Sequence, residues 1–224
     1  MGEKTKIWYL EKFNLLASLS PAEMAEMEKA TSMRSCHKNQ VIFFENDPSD
    51  RIYFLKEGEI KLTRYDEGRE LIIAILGPGE VFGELAISGQ DKRDETAEAT
   101  RESVICMIST GELEMMMNKN PRFNLGITKL MGLRLLRVKN SLASLVFKSS
   151  EQRVISFIRE SASAHGRITP EGVEVALRLT HDNIAKLTAT SRPLVTSVFS
   201  ELEKKGVITY TRKKILVRQP QKLV

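Results

Sequence analysis

The sequence predicts an α+β chain: a strand-rich N-terminal half, then one long helix, then a compact unit of helices and short strands. Three observations predict it. Between Val41 and Ile108, short β-branched and aromatic runs alternate with glycine- and asparagine-rich turns. From Asn120-Pro121 through residue 148 the apolar spacing is helical, and from residue 149 amphipathic segments alternate with short extended ones. The corresponding segments are residues 1–119, 120–148 and 149–224. With 42% hydrophobic and 28% charged residues over 224 positions, the chain has ordinary globular composition and length enough for a real core.

Within the first segment, Trp8, Leu10, Phe13, Leu16 and Leu19 predict a helix. Ser20-Pro21-Ala22-Glu23 then supplies an N-cap, a proline in the first turn and an acid for a second helix. Val41 to Phe44, Ile52 to Leu55, Ile60 to Tyr65, Leu71 to Leu76 and Val104 to Ile108 read as strands of an antiparallel sandwich or roll. In the long helix, Met131, Leu135, Val138, Leu142 and Leu145 follow the 3.5-residue repeat of a coiled-coil seam, which predicts self-association. A second stripe, Phe123, Ile127 and Leu130, is placed to pack on the roll.

The last segment is the most informative. Glu151 to Ser161 is amphipathic, and Pro170-Glu171-Gly172 is a turn between Arg167-Ile168-Thr169 and the alternating run Val173 to Leu177. Thr180 caps a short helix through Leu187, Thr188-Ala189-Thr190 is a three-residue turn, and Ser191 caps a second helix from Arg192 to about Lys205 that Gly206 stops. Two helices joined by such a turn form a helix-turn-helix. Val207 to Tyr210 and Ile215 to Val217, around Thr211-Arg212-Lys213-Lys214, add a β-hairpin wing.

Charge agrees with this reading. From His181 onward there are nine Lys and Arg against three acids, a net +6, which leaves residues 1–180 at −1 of the total +5. A basic end on a near-neutral body points to a polyanion such as double-stranded DNA. In a helix-turn-helix the second helix enters the major groove, which presents Ser191, Arg192, Pro193, Thr196 and Ser197 to base edges. Arg192 can bind guanine in a bidentate manner. Thr180, Lys186, Arg212, Lys213 and Lys214 suit phosphates.

Other classes find little support. No apolar run is long enough for a membrane span, and the polar stretch Met1 to Trp8 has no signal-peptide pattern, so a cytoplasmic protein is expected. The two cysteines, Cys36 and Cys106, cannot build a four-cysteine cluster. Cys36 and His37, as strand neighbours, point to opposite faces and cannot easily share one haem iron. His37, His165 and His181 are too scattered for a cupin-like metal enzyme, so neither metal site nor catalysis is expected.

Taken together, Phe82-Gly83-Glu84-Leu85-Ala86 in the roll, Asn120-Pro121 opening the long helix, and Thr190-Ser191-Arg192 in the helix-turn-helix resemble the cyclic-AMP receptor protein and FNR (Crp/Fnr) family of bacterial transcription regulators. The resemblance spans about residues 8 to 218. It implies a cyclic-nucleotide-binding-like jelly roll that senses an effector, a long dimerisation helix, and a C-terminal winged helix-turn-helix. A homodimer would read a palindromic operator and engage RNA polymerase. Members that bind cyclic AMP hold its phosphate and ribose through the residues matching Gly83 and Glu84. They follow with Arg-Ser-Ala or Arg-Thr-Ala, where this chain has Glu95-Thr96-Ala97, and their adenine-contacting Thr-Ser pair aligns with Val138-Lys139. A carboxylate about 4 Å from the phosphate turns roughly 4 kcal/mol of attraction into repulsion at an effective dielectric near 20. No cofactor is therefore certain, and Glu95 disfavours a cyclic nucleotide. The alternative is a cyclic-nucleotide-binding signalling module with secondary DNA contact.

Overall fold

The computed structural model describes residues 19–176, 179–211 and 213–223. Of the helix predicted on Trp8 to Leu19 only Leu19 lies within them, in a bend, and Leu177 and Arg212 lie outside them. The chain forms two compact units, Met1–Leu135 and Leu136–Val224, which divide within the long helix.

In the first unit, α1 (Pro21–Ala30) starts at a capping box in which Ser20 and Glu23 satisfy each other's backbone N–H. Eight strands follow: β1 (Ser32–Cys36), β2 (Val41–Phe43), β3 (Arg51–Glu57), β4 (Ile60–Asp66), β5 (Arg69–Leu76), β6 (Val81–Phe82), β7 (Thr96–Ala99) and β8 (Ser103–Ser109). A 3₁₀ turn, Glu84–Ser88, lies between β6 and β7. Then come α2 (Thr110–Lys119) and α3 (Pro121–Phe147). The strands form two antiparallel sheets in the orders β1-β8-β3-β6 and β2-β7-β4-β5.

Strand β3 shows why this is a roll with an outer helical layer. Its alternate residues Tyr53 and Leu55 join Phe43, Ile60, Leu62, Phe82 and Ala97 in the core between the sheets. Ile52 and Phe54 face the other way, onto Met24 and Met27 of α1, Leu113 of α2, and Phe123 and Ile127 of α3. Burial on both faces explains the continuous apolar run of this strand. The stripe Phe123, Ile127 and Leu130 packs on this outer face, and Met131, counted above in the seam, packs there too.

In the second unit, α4 (Ser150–His165), β9 (Gly166–Thr169), β10 (Gly172–Val175), α5 (His181–Leu187), α6 (Arg192–Lys204), β11 (Ile208–Tyr210) and β12 (Ile215–Val217) surround one core. Val154, Ile158, Ile184, Val195, Phe199, Leu202, Ile208 and Val217 fill it. The wing is more than the predicted hairpin. Val173 of β10 pairs with Val217 of β12, so two hairpins join in one antiparallel sheet of order β11-β12-β10-β9.

Candidate nucleic-acid interface and effector pocket

Both caps predicted for the helix-turn-helix are formed. Thr180 Oγ1 accepts from Asn183 N at 3.1 Å, and Ser191 Oγ accepts from Leu194 N at 3.4 Å. Pro193 falls in the first turn of α6, where its missing N–H costs no helical bond. The turn between the helices closes through Thr190 N donating to Ala185 O at 2.8 Å, with Ala189 in the left-handed region at φ 48°. Arg153 of α4 holds this turn from below. Its Nε donates to Thr188 O and its Nη2 to Ala189 O, each at 2.8 Å. Sequence reading missed Arg153 because nothing local marks an amphipathic-helix arginine as a tether to a turn far along the chain.

The inward face of α6, Val195, Val198, Phe199 and Leu202, is buried, which turns Ser191, Arg192, Pro193, Thr196 and Ser197 outward together. Arg192 makes no ion pair among the described residues, so its guanidinium is available to a partner. The predicted phosphate cations are less uniform. Lys213 is exposed on the wing turn, whereas Lys186 pairs with Asp182 at 2.8 Å and Lys214 pairs with Glu174 at 2.6 Å. The Glu174 carboxylate raises the pKa of Lys214. The Lys214 pair, with the lysine side chain exposed, is worth little. Between α5, α6 and the wing lies a cleft of about 750 Å³ lined in part by Thr180, His181, Arg192, Phe199, Tyr210 and Thr211.

Of the residues predicted for the effector pocket, Phe82 and Ala97 belong to the core between the sheets. Phe82 stacks on Tyr53 with ring centroids 4.9 Å apart, and Phe43 completes the trio between the sheets. Ala86 instead belongs to the helix-side core, and Leu85 is partly exposed. Thr96 Oγ1 accepts from Glu45 N at 3.1 Å, and Ala97 is buried. Val138 and Lys139 belong to the second unit and are exposed on α3.

Two arginines, Arg93 and Arg134, dominate the chemistry of the roll. Arg93 is buried, its guanidinium 4.5 Å from the Phe43 ring centroid and 5.4 Å from that of Tyr53. It donates to Gly83 O at 3.0 Å and Arg51 O at 2.7 Å. Gly83 sits at φ 69°, and a Cβ there would lie 2.7 Å from Arg93 Nη1, so glycine is needed for both backbone and space. Arg134 of α3 engages the buried Glu84 carboxylate and also donates to Val81 O. The glutamate implied to hold a ribose hydroxyl is thus ion-paired within the protein.

Burial pushes the Glu95 carboxyl from its ordinary 4.5 up to about 7, and neighbouring Asp94 adds to the rise against Arg93 and Arg64. Below pH 4.5 this group is protonated in folded and unfolded chains alike, and its contribution to stability is complete. Between pH 4.5 and about 7 the unfolded chain ionises first, so stability should fall, by about 2 kcal/mol after allowing for partial exposure. Glu95→Gln should abolish that slope and be the more stable protein at pH 8. Urea titrations of both proteins from pH 4 to 8, read on the transition of the unit that contains the roll, decide it, and parallel curves would refute the assignment.

Comparison with known proteins follows the same division of the chain. The model for a cyclic nucleotide-binding domain matches residues 33–120, and that for a Crp-like helix-turn-helix domain matches residues 152–224. The chain belongs to the Crp/Fnr family. It is 29% identical over 186 residues to the global nitrogen regulator of Nostoc sp. PCC 7120, covering 82% of this chain and 83% of that one. It is 28% identical over 219 residues to the CRP-like cAMP-activated global transcriptional regulator of Mycobacterium tuberculosis, covering 96% of each. Its fold is that of a CooA mutant from Carboxydothermus hydrogenoformans, with a TM-score of 0.81 at 22% identity over 99% of this chain and 96% of that one. This Crp/Fnr protein is accordingly a transcription regulator with a helix-turn-helix DNA-binding domain. Its named relatives are regulators rather than enzymes. Among the described residues, no three His, Cys, Asp or Glu side chains cluster as a metal site, and no helix is long and apolar enough to cross a membrane.

Proposed function

We propose that this Crp/Fnr regulator acts in the cytoplasm as a homodimer that reads a palindromic operator, with one α6 in the major groove of each half-site. The observation that carries the DNA reading is the outward face of α6, where Arg192 stands unpaired beside Thr196 and Ser197. The functional division is residues 1–119 for the sensing roll, 120–148 for dimerisation and 149–224 for DNA, with RNA polymerase as the further partner on bound DNA. Pro193 has no side-chain donor or acceptor and Ser197 is too short for a bidentate guanine contact. The operator should then carry one strongly specified guanine per half-site, with half-sites about 34 Å apart.

Sequence selection from a random DNA pool, with and without cell extract, tests binding, symmetry and effector dependence. On the selected site, Arg192→Ala should cost about 1 to 3 kcal/mol and relax preference at one base pair. Lys213→Ala should weaken all sequences alike and lower the salt slope by about one. Equal weakening of cognate and scrambled DNA by Arg192→Ala would make Arg192 a phosphate contact.

The roll is best read as a sensor for something other than cyclic AMP. A carboxyl that is part ionised at neutral pH supplies no cation for a cyclic phosphate, and Arg93, the nearest buried arginine, is committed to two backbone carbonyls. Calorimetry with cyclic AMP should show no micromolar isotherm. A clear isotherm that survives Glu95→Ala would mean that the exposed Lys92 supplies the charge.

A further inference from the structure

His181 opens α5 immediately after the Thr180 cap, and its Nδ1 lies 2.9 Å from Oγ1 of Thr196, in the second turn of α6. The same Oγ1 lies 3.0 Å from Arg192 O, four residues back along the helix. A threonine hydroxyl has one proton and two lone pairs. Both contacts are satisfied at once in only one way: the hydroxyl donates to Arg192 O and accepts from Nδ1–H of His181. Its proton is then spent, and the lone pair that remains is all that Thr196 can offer outward.

The imidazole is held in place for this. Its ring centroid is 4.9 Å from that of Phe199 and 5.7 Å from that of Tyr210, and those two rings meet edge to face at 5.1 Å. Partial burial and the neighbouring Arg192 charge lower the His181 pKa. Asp182, which could oppose that shift, is paired with Lys186. Both effects favour the neutral ring, and the hydrogen-bond pattern selects the tautomer with the proton on Nδ1.

We propose that His181 is a positioning residue for base recognition, fixing the Thr196 hydroxyl as an acceptor on the exposed face of α6. The base facing Thr196 must then present a donor in the major groove, cytosine N4 or adenine N6, and guanine O6 or thymine O4 is disfavoured there. The proposal rests on the reading of α6 as the recognition helix. It adds to the guanine read by Arg192 a second preference, set by a residue on the other helix of the motif. A histidine that merely tied α5 to α6 would change stability and leave base preference alone.

Competition binding on operators carrying each base at every half-site position separates these roles. Thr196→Val should relax preference at one position by about 3- to 10-fold, the scale of one hydrogen bond. His181→Phe keeps the ring among Phe199 and Tyr210 and removes the donor, and it should relax that same position by about 3-fold with other positions unchanged. His181→Asn, whose amide nitrogen can stand near the place of Nδ1, should restore the preference. Uniform weakening of all sequences by His181→Phe, or a change at a position that Thr196→Val does not affect, overturns the proposal. If His181→Phe does not fold, the imidazole ¹⁵N shifts of the native protein at pH 7 still decide it: a proton on Nδ1 is expected, and a proton on Nε2 overturns it. Arg192→Ala in the same assay keeps the two readings apart. If it relaxes its own base pair while His181→Phe relaxes none, the role of His181 alone fails; if the native protein shows no base preference, the recognition-helix reading fails with it.

Discussion

Leu135→Asp and Leu142→Asp are each expected to leave a monomer by light scattering and to weaken operator binding by roughly 100-fold or more. Both side chains are 62% exposed on α3, and Val138 and Leu145 continue the same seam at 61% and 49%. Leu133, Leu136, Val146 and Phe147, outside the predicted repeat, are also exposed, so the helix offers a broad apolar face rather than a narrow stripe. An apolar face of that breadth marks an interaction surface, and heptad spacing along its middle selects another copy of the same helix. A buried aspartate in that seam would leave an unpaired charge on each side of a two-fold interface. The DNA consequence follows from linkage between half-sites. Once one α6 is bound, the second binds at high effective concentration, which raises avidity by about 10² to 10⁴ over a single half-site. A variant that remains dimeric, or a monomer that keeps native operator affinity, would refute the assignment of this face.

How much of this could be read from the sequence depended on whether the signal was local. Caps are local, so Ser20, Thr180 and Ser191 marked helix starts that the structure also has. The start of α2 had an equally local signal, the capping box of Ser109 and Glu112, which the strand reading passed over. Strands β1, β6 and β7 were missed for a different reason. Ser32–Cys36 is mostly exposed, Val81–Phe82 is two residues long, and Thr96–Ala99 has little β propensity, so their pairing with neighbours decides their conformation. In the candidate sites the outward residues of α6 were legible because helix periodicity assigns faces. Arg93 was not, since an arginine in the run Asp91 to Glu95 looks solvated. Only the assembly of Phe43, Tyr53 and Gly83 from distant strands and loops makes it an interior residue.

The pairing of Arg134 with Glu84 is equally non-local, and it should be the costliest single contact to break in the roll. Glu84 is 7% exposed, and its Oε2 is buried without a hydrogen bond, so the carboxylate depends on Arg134 for compensation of its charge. Arg134 also donates to Val81 O, which ties α3 to β6 through one guanidinium. Arg134→Ala removes both bonds and strands a buried anion, a loss of about 3 to 5 kcal/mol for a fully buried pair; with Arg134 itself 21% exposed, about 3 kcal/mol is expected here. Glu84→Gln should cost less, since it removes the charge that needs compensation. The double variant Glu84→Gln/Arg134→Ala should be more stable than Arg134→Ala alone, because no buried charge is left to neutralise. With two compact units in the chain, a single unfolding midpoint would mix their transitions, so hydrogen exchange of the β3 and β8 amides is the readout. A loss below about 1 kcal/mol for Arg134→Ala, or a double variant less stable than both single ones, would show that Glu84 is solvated and that the ion pair contributes little.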